Sequence, residues 1–166
     1  MGFGLNSKVT DFDGKDGQRI VNYDDGARIY SIKPFKGKKG TIAAAKLTKY
    51  ISASFGGVLV GVLDEIDGGT EVEKMDSLGF MISGILDGAF NTFDDPQLHE
   101  FYFSLFDEVY RDGNRIDYDE EFKLEQEYSV DLIRHIVTYN FKSVFQRLGI
   151  AALLKKKVSE ESVNRG

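Results

Sequence analysis

The sequence has no cysteine and no tryptophan, and only two prolines in 166 residues. Without cysteine there is no disulfide framework, no thiolate metal site and no cysteine nucleophile. The only histidines, His99 and His135, fall on different predicted helices. They lack the i,i+4 pairing of a zincin, so no metal ligand set is predicted. No Gly-x-Ser-x-Gly elbow is present, and no internal repeat. The longest uncharged run, Tyr50–Leu63, is 14 residues, short of the roughly 20 that cross a bilayer, and is expected to be a buried helix. The opening Met1-Gly2-Phe3-Gly4 lacks the basic segment and apolar run of a signal peptide, which predicts a cytoplasmic protein. Gly2 resembles a myristoylation start, but that motif needs Ser or Thr at position 6 and Asn6 stands there.

What is present suits one folded domain: 42% of residues are hydrophobic and 29% charged, and the length is enough to bury a core. The net charge of −6 hides a segregation. Residues 64–127 carry 19 Asp and Glu against 4 Lys and Arg, whereas the segments on either side are both net basic. Such a chain is expected to be complementary within itself or with a copy of itself.

The pattern along the chain predicts a mainly α fold: a compact domain of about four helices with an N-terminal β-hairpin. Residues 1–17, rich in Gly and Asp, are expected to form a flexible arm or short strand, residues 18–154 the domain, and 155–166 a disordered tail. Gln18–Tyr23 and Ala27–Lys33 read as strands joined at Asp24-Asp25-Gly26, where Gly26 can take positive φ. Pro34 ends the second. A first helix is expected from Gly40-Thr41, capped by Thr41, to about Ile66, on Leu47, Ile51, Phe55, Val58 and Val62. A second runs from Thr70, with a Thr70–Glu73 capping box, to Phe90. A third opens at Asp95-Pro96 and carries Leu98, Phe101, Tyr102, Leu105, Phe106 and Val109 on one face. Arg111-Asp112-Gly113-Asn114 is a turn, and Ile116–Phe122 a short strand or a run-in. The last helix spans about Ser129–Leu154, with Val130, Ile133, Val137, Phe141, Val144 and Leu148 on one side. Glycines recur inside the first two helices (Gly56, Gly57, Gly61, Gly79, Gly84, Gly88). Each costs a helix about 1 kcal/mol relative to Ala, so they signal close helix contacts or marginal helices.

Chemical motifs fail on spacing. Gly37-Lys38-Lys39-Gly40-Thr41 has two residues between its glycines where a P-loop has four, and Gly40 where the lysine should be. Aligning Gly113 to the EF-hand glycine puts Glu108, Tyr110 and Asp119 at ligand positions, and Tyr110 cannot supply the oxygen required. Asp11-Phe12-Asp13-Gly14 has its glycine too early. The acids Asp117, Asp119, Glu120, Glu121, Glu125 and Glu127 read as a solvated face rather than a catalytic pair. Seven basic residues and no acid lie between Arg28 and Lys49, with aromatics among them, but the acidic middle segment would repel a duplex. The expectation is a protein-binding protein, with no enzyme activity, no cofactor, no metal, no membrane span and no nucleic acid.

One order of elements is familiar. A strand ending Ile29-Tyr30-Ser31-Ile32-Lys33-Pro34-Phe35 leads into a small-residue helix, then two more helices. The acidic Ile116-Asp117-Tyr118-Asp119-Glu120-Glu121-Phe122 follows, then a long helix carrying Tyr139-Asn140-Phe141. From Ile29 to Leu148 this resembles the tail assembly chaperones of tailed bacteriophages. The resemblance implies a helical, non-enzymatic protein that binds the tape measure protein and keeps it soluble in the host cytoplasm. It also implies self-association and absence from the mature virion. Family members are often made in two lengths by a ribosomal frameshift, for which Lys155-Lys156-Lys157 is a candidate place. The competing readings are a structural virion or tail component, or another protein-binding adaptor. Phe141, Val144, Phe145, Leu148 and Ile150 are the candidate partner contacts, because apolar residues cover more than one side of that helix.

Overall fold

In a computed structural model, residues 5–12, 16–55, 71–92 and 94–147 are described, with backbone alone for 51–55, 71–78 and 142–147. The strands are β1 (Ser7–Phe12), β2 (Gln18–Tyr23), β3 (Arg28–Ile32), β4 (Val109–Arg111) and β5 (Asn114–Arg115). The helices are α1 (Gly37–Phe55), α2 (Glu71–Thr92), α3 (Pro96–Ser104), α4 (Tyr118–Glu121) and α5 (Gln126–Arg147). The strands form one five-stranded sheet in the order β1-β2-β3-β4-β5, antiparallel at every step. The architecture is therefore mixed α/β. The expectation of a mainly α domain with a hairpin is corrected: the hairpin β2–β3 is the middle of a sheet that gains β1 before it and, after α1, α2 and α3, β4–β5.

The alternation within β2 and β3 sets the layers. Arg19, Val21 and Tyr23, with Tyr30 and Ile32, are buried on one face, beside Val109 of β4. α5 lies against that face and α2 lies against α5. This sandwiched position buries Leu132, Ile133, Ile136, Val137 and Phe141, more of the helix than one apolar stripe. Val130, expected inside, is 49% exposed. Around the end of α3, Phe106, Tyr118 and Phe122 meet with ring centroids 4.9–5.7 Å apart. Each such pair adds about 0.5–1.5 kcal/mol beyond burial.

Local signals explain the boundaries. Asp95 caps α3 by accepting from the amides of Gln97 and Leu98, with Pro96 at the first position, as predicted. α1 begins at Gly37 rather than Thr41, whose hydroxyl donates back to the Gly37 carbonyl inside the helix. α3 ends at Ser104, earlier than the apolar spacing suggests. Val109 keeps its place in the core but does so from β4, with Lys33 donating to the Glu108 carbonyl to extend the β3–β4 pairing. Asp112 and Gly113 take φ of 52° and 80° in the β4–β5 turn, the paired positive values of a tight hairpin. Among the described residues no helix is long and apolar enough to cross a membrane. The expected capping box at Thr70 and the end of the first expected helix lie outside the described residues.

Candidate functional site

The groups flagged for chemistry turn out to be structural joints. The basic strand and acidic segment meet as ion pairs: Arg28 with Glu125, Arg111 with Glu121, and Lys39 with both Asp107 and Glu108. Glu121 also accepts from the Tyr30 hydroxyl at 2.7 Å. Burial alone would push the Glu121 carboxyl up, but hydrogen bonds from Tyr30 and Arg111 outweigh it and hold the group below its usual range. Asp117 caps α4 through the Glu120 amide. Two of the six clustered acids are thus anchors and one is a helix cap. The would-be calcium loop is the tight β4–β5 turn.

Ser7, His135 and Asp131 come together and invite comparison with a nucleophilic triad. His135 Nε2 lies 3.4 Å from the Ser7 hydroxyl, 3.4 Å from Asp131 Oδ2 and 3.3 Å from Arg134 Nη2. A triad needs the acid on one ring nitrogen and the nucleophile on the other. Here all three converge on the same nitrogen, so no proton can be passed from serine to histidine with the carboxylate behind it. Burial pushes His135 below its ordinary pKa, against the Asp131 hydrogen bond. Tyr23 donates to Asp131 at 2.7 Å, so the cluster clamps β1 and β2 to α5. His99 packs against Phe90, ring centroids 4.5 Å apart and planes tilted by 48°.

The candidate contacts at the end of α5 separate. Phe141 is 1% exposed and faces Phe35 across 6.4 Å. Val144 and Phe145 are in the last turns of α5, and their side chains lie outside the described residues, as do Leu148 and Ile150 altogether.

The helical glycines divide by face. An added Cβ at Gly79 would stand 1.7 Å from the Thr138 hydroxyl oxygen and 2.8 Å from its Cβ. Gly79 therefore lets α2 and α5 approach closely. At Gly84 and Gly88 an added Cβ meets nothing among the described residues within 4 Å. With Phe80, which is 63% exposed, these two lie one helical turn apart along one line of α2. Sequence flagged the glycines, but the direction each faces depends on how α2 sits on α5.

The two motifs that suggest a family also meet in space. The Phe35 amide, after Lys33-Pro34, donates to Asn140 Oδ1 at 2.7 Å. Strand exit and final helix are locked together at that point. Compared with known protein families, residues 25–153 match the one described as phage tail assembly chaperone protein, TAC. This chain belongs to the phage tail assembly chaperone family. Neither curated proteins nor solved structures give a match. The match makes the protein a tail assembly factor, and the exposed line of α2 lies within it. Strands β1 and β2 of this tail assembly chaperone precede the matched region.

Proposed function

We propose that this chaperone is a non-enzymatic holdase that binds the long helical tape measure protein in the host cytoplasm. It keeps that protein soluble until tail protein polymerises around it, and is left out of the mature virion. The observation that carries the reading is the Phe80–Gly84–Gly88 line, because two glycines on an outward helix face cost about 1 kcal/mol each, and among the described residues nothing packs into the space they leave. Side-chain-free positions let a second helix backbone come close, and Phe80 supplies an apolar anchor beside them. The second proposed contact is made by Val144 and Phe145 in the last turns of α5 together with Leu148 and Ile150, which follow them in sequence, with Phe141 steadying the helix from the core. Self-association belongs to the same reading, as does a longer frameshifted product.

The test is co-expression with the tape measure protein from the same phage, followed by affinity capture and size-exclusion chromatography. Co-elution of an otherwise insoluble tape measure protein is expected, and purified virions should lack the chaperone. A tape measure protein that stays insoluble while the chaperone elutes alone would sink the proposal. Recovery of the chain from virions would instead indicate a structural tail component.

A further inference from the structure

The sheet has a second face that no helix among the described residues covers. The register puts Phe12, Ile20 and Ile29 on it, on β1, β2 and β3. Phe12 and Ile29 are 50% and 43% exposed. Each is the diagonal neighbour of the next, about 7–8 Å apart in an antiparallel sheet, so together they draw an apolar stripe of roughly 15 Å across three strands. The charged residues that the strands place on this face are Lys8 and Arg115, and Lys33 follows directly at the end of β3. No strand residue there is a carboxylate. Lys33 and Arg115 sit over the Tyr110 ring at 4.2 and 5.9 Å, fixed beside one end of the stripe. Rim acids take part of this charge. Glu108 accepts from Lys39 and Arg115, while Asp25 pairs with Lys8 at 3.7 Å with both side chains more than three quarters exposed, a contact of little strength.

We infer that this face is a second docking surface, for an amphipathic helix whose apolar stripe is flanked by acidic residues. A stripe of roughly 15 Å matches about three turns of helix at 1.5 Å per residue. A helix laid on an open sheet face completes the layer that the sheet otherwise lacks on that side. An extended segment would pair with an edge strand instead, and β1 carries Lys8 and an inward Asp11 already held by Arg19, devices that discourage edge pairing. The cations beside the stripe select acidic flanks over basic ones. This site is separate from the α2 line and stands without it.

The probes are two synthetic 20-residue helical peptides (about three heptads) with the same leucine stripe, one flanked by glutamates and one by lysines. They are titrated into the full chain with amide shifts recorded. The glutamate peptide is expected to shift β1, β2 and β3 amides and to weaken at least about tenfold, or 1.4 kcal/mol, in the double variant Lys33→Glu with Arg115→Glu. Ile29→Ser should weaken it too, with an unchanged circular dichroism spectrum. Gly84→Leu should leave it unaffected, which separates this site from the tape measure reading. Equal or tighter binding of the lysine peptide, shifts confined to α2, no binding of either, or preference for a single-stranded oligonucleotide would each overturn the inference.

Discussion

Replacing Gly79 with alanine puts a methyl group where Thr138 already stands. The added Cβ would lie 1.7 Å from Thr138 Oγ1, 2.8 Å from its Cβ and 3.3 Å from its Cα. Rotating the hydroxyl away removes only the first contact, and breaks its hydrogen bond to the Arg134 carbonyl at 2.8 Å. The other two clashes remain, so α2 has to move off α5. Such overpacking costs about 1–3 kcal/mol, and the lost hydrogen bond about 1 kcal/mol more. Against this stands a helix-propensity gain of about 1 kcal/mol for Gly→Ala. The net expectation for Gly79→Ala is a loss of about 1–3 kcal/mol. For a chain of this size that is a fall of about 2–12 °C in Tm, at about 2–4 °C per kcal/mol. The same substitution at Gly84 meets no described residue within 4 Å and keeps only the propensity gain, so Tm should rise by about 2–4 °C. Thermal unfolding followed by circular dichroism compares the two. If Gly79→Ala proved as stabilising as Gly84→Ala, the close α2–α5 contact would be wrong.

The pH dependence of stability has a sign fixed by His135. Its folded pKa is lowered by burial, so the unfolded chain binds the extra proton first, and stability falls as pH drops through about 6.5, the free histidine value. Chemical denaturation at pH 7.5 and 5.5 should show that fall, and His135→Gln should reduce it; an unchanged slope contradicts the assignment. Asp95→Ala removes the α3 cap and should cost about 1 kcal/mol, read as a lower denaturant midpoint with the same m-value. Tyr23→Phe takes the donor from a mostly buried Asp131, and should cost about 1–3 kcal/mol; a neutral result would mean that water replaces the phenol.

Local chemistry made parts of the fold readable. Gly26 between two β-rich runs marks the β2–β3 connection, and Asp95-Pro96 marks the start of α3. The sheet was harder to see, because β4 pairs with β3 across more than 70 intervening residues and follows an apolar spacing that still looks helical. Leu105, Phe106 and Val109 are buried as that spacing predicts, but nothing local says that the chain changes from helix to strand between them. Asp112-Gly113 was the available clue, being a strong hairpin dipeptide. β1 was hidden by its Gly- and Asp-rich surroundings and by exposure along nearly its whole length. The glycine line was visible only as composition: Gly79 and Gly84 look alike in sequence and differ because one faces Thr138 and the other faces outward.

The most direct test of the central claim is the amount of soluble tape measure protein when it is co-expressed with the Gly84→Leu, Gly88→Leu double variant. Leucine favours helix at both positions by roughly 1 kcal/mol each, so the chaperone itself should fold at least as well as the parent. The account predicts that the chaperone remains soluble while the tape measure protein goes to the pellet. Undiminished recovery of soluble tape measure protein with the variant would show that the α2 line is not where it binds.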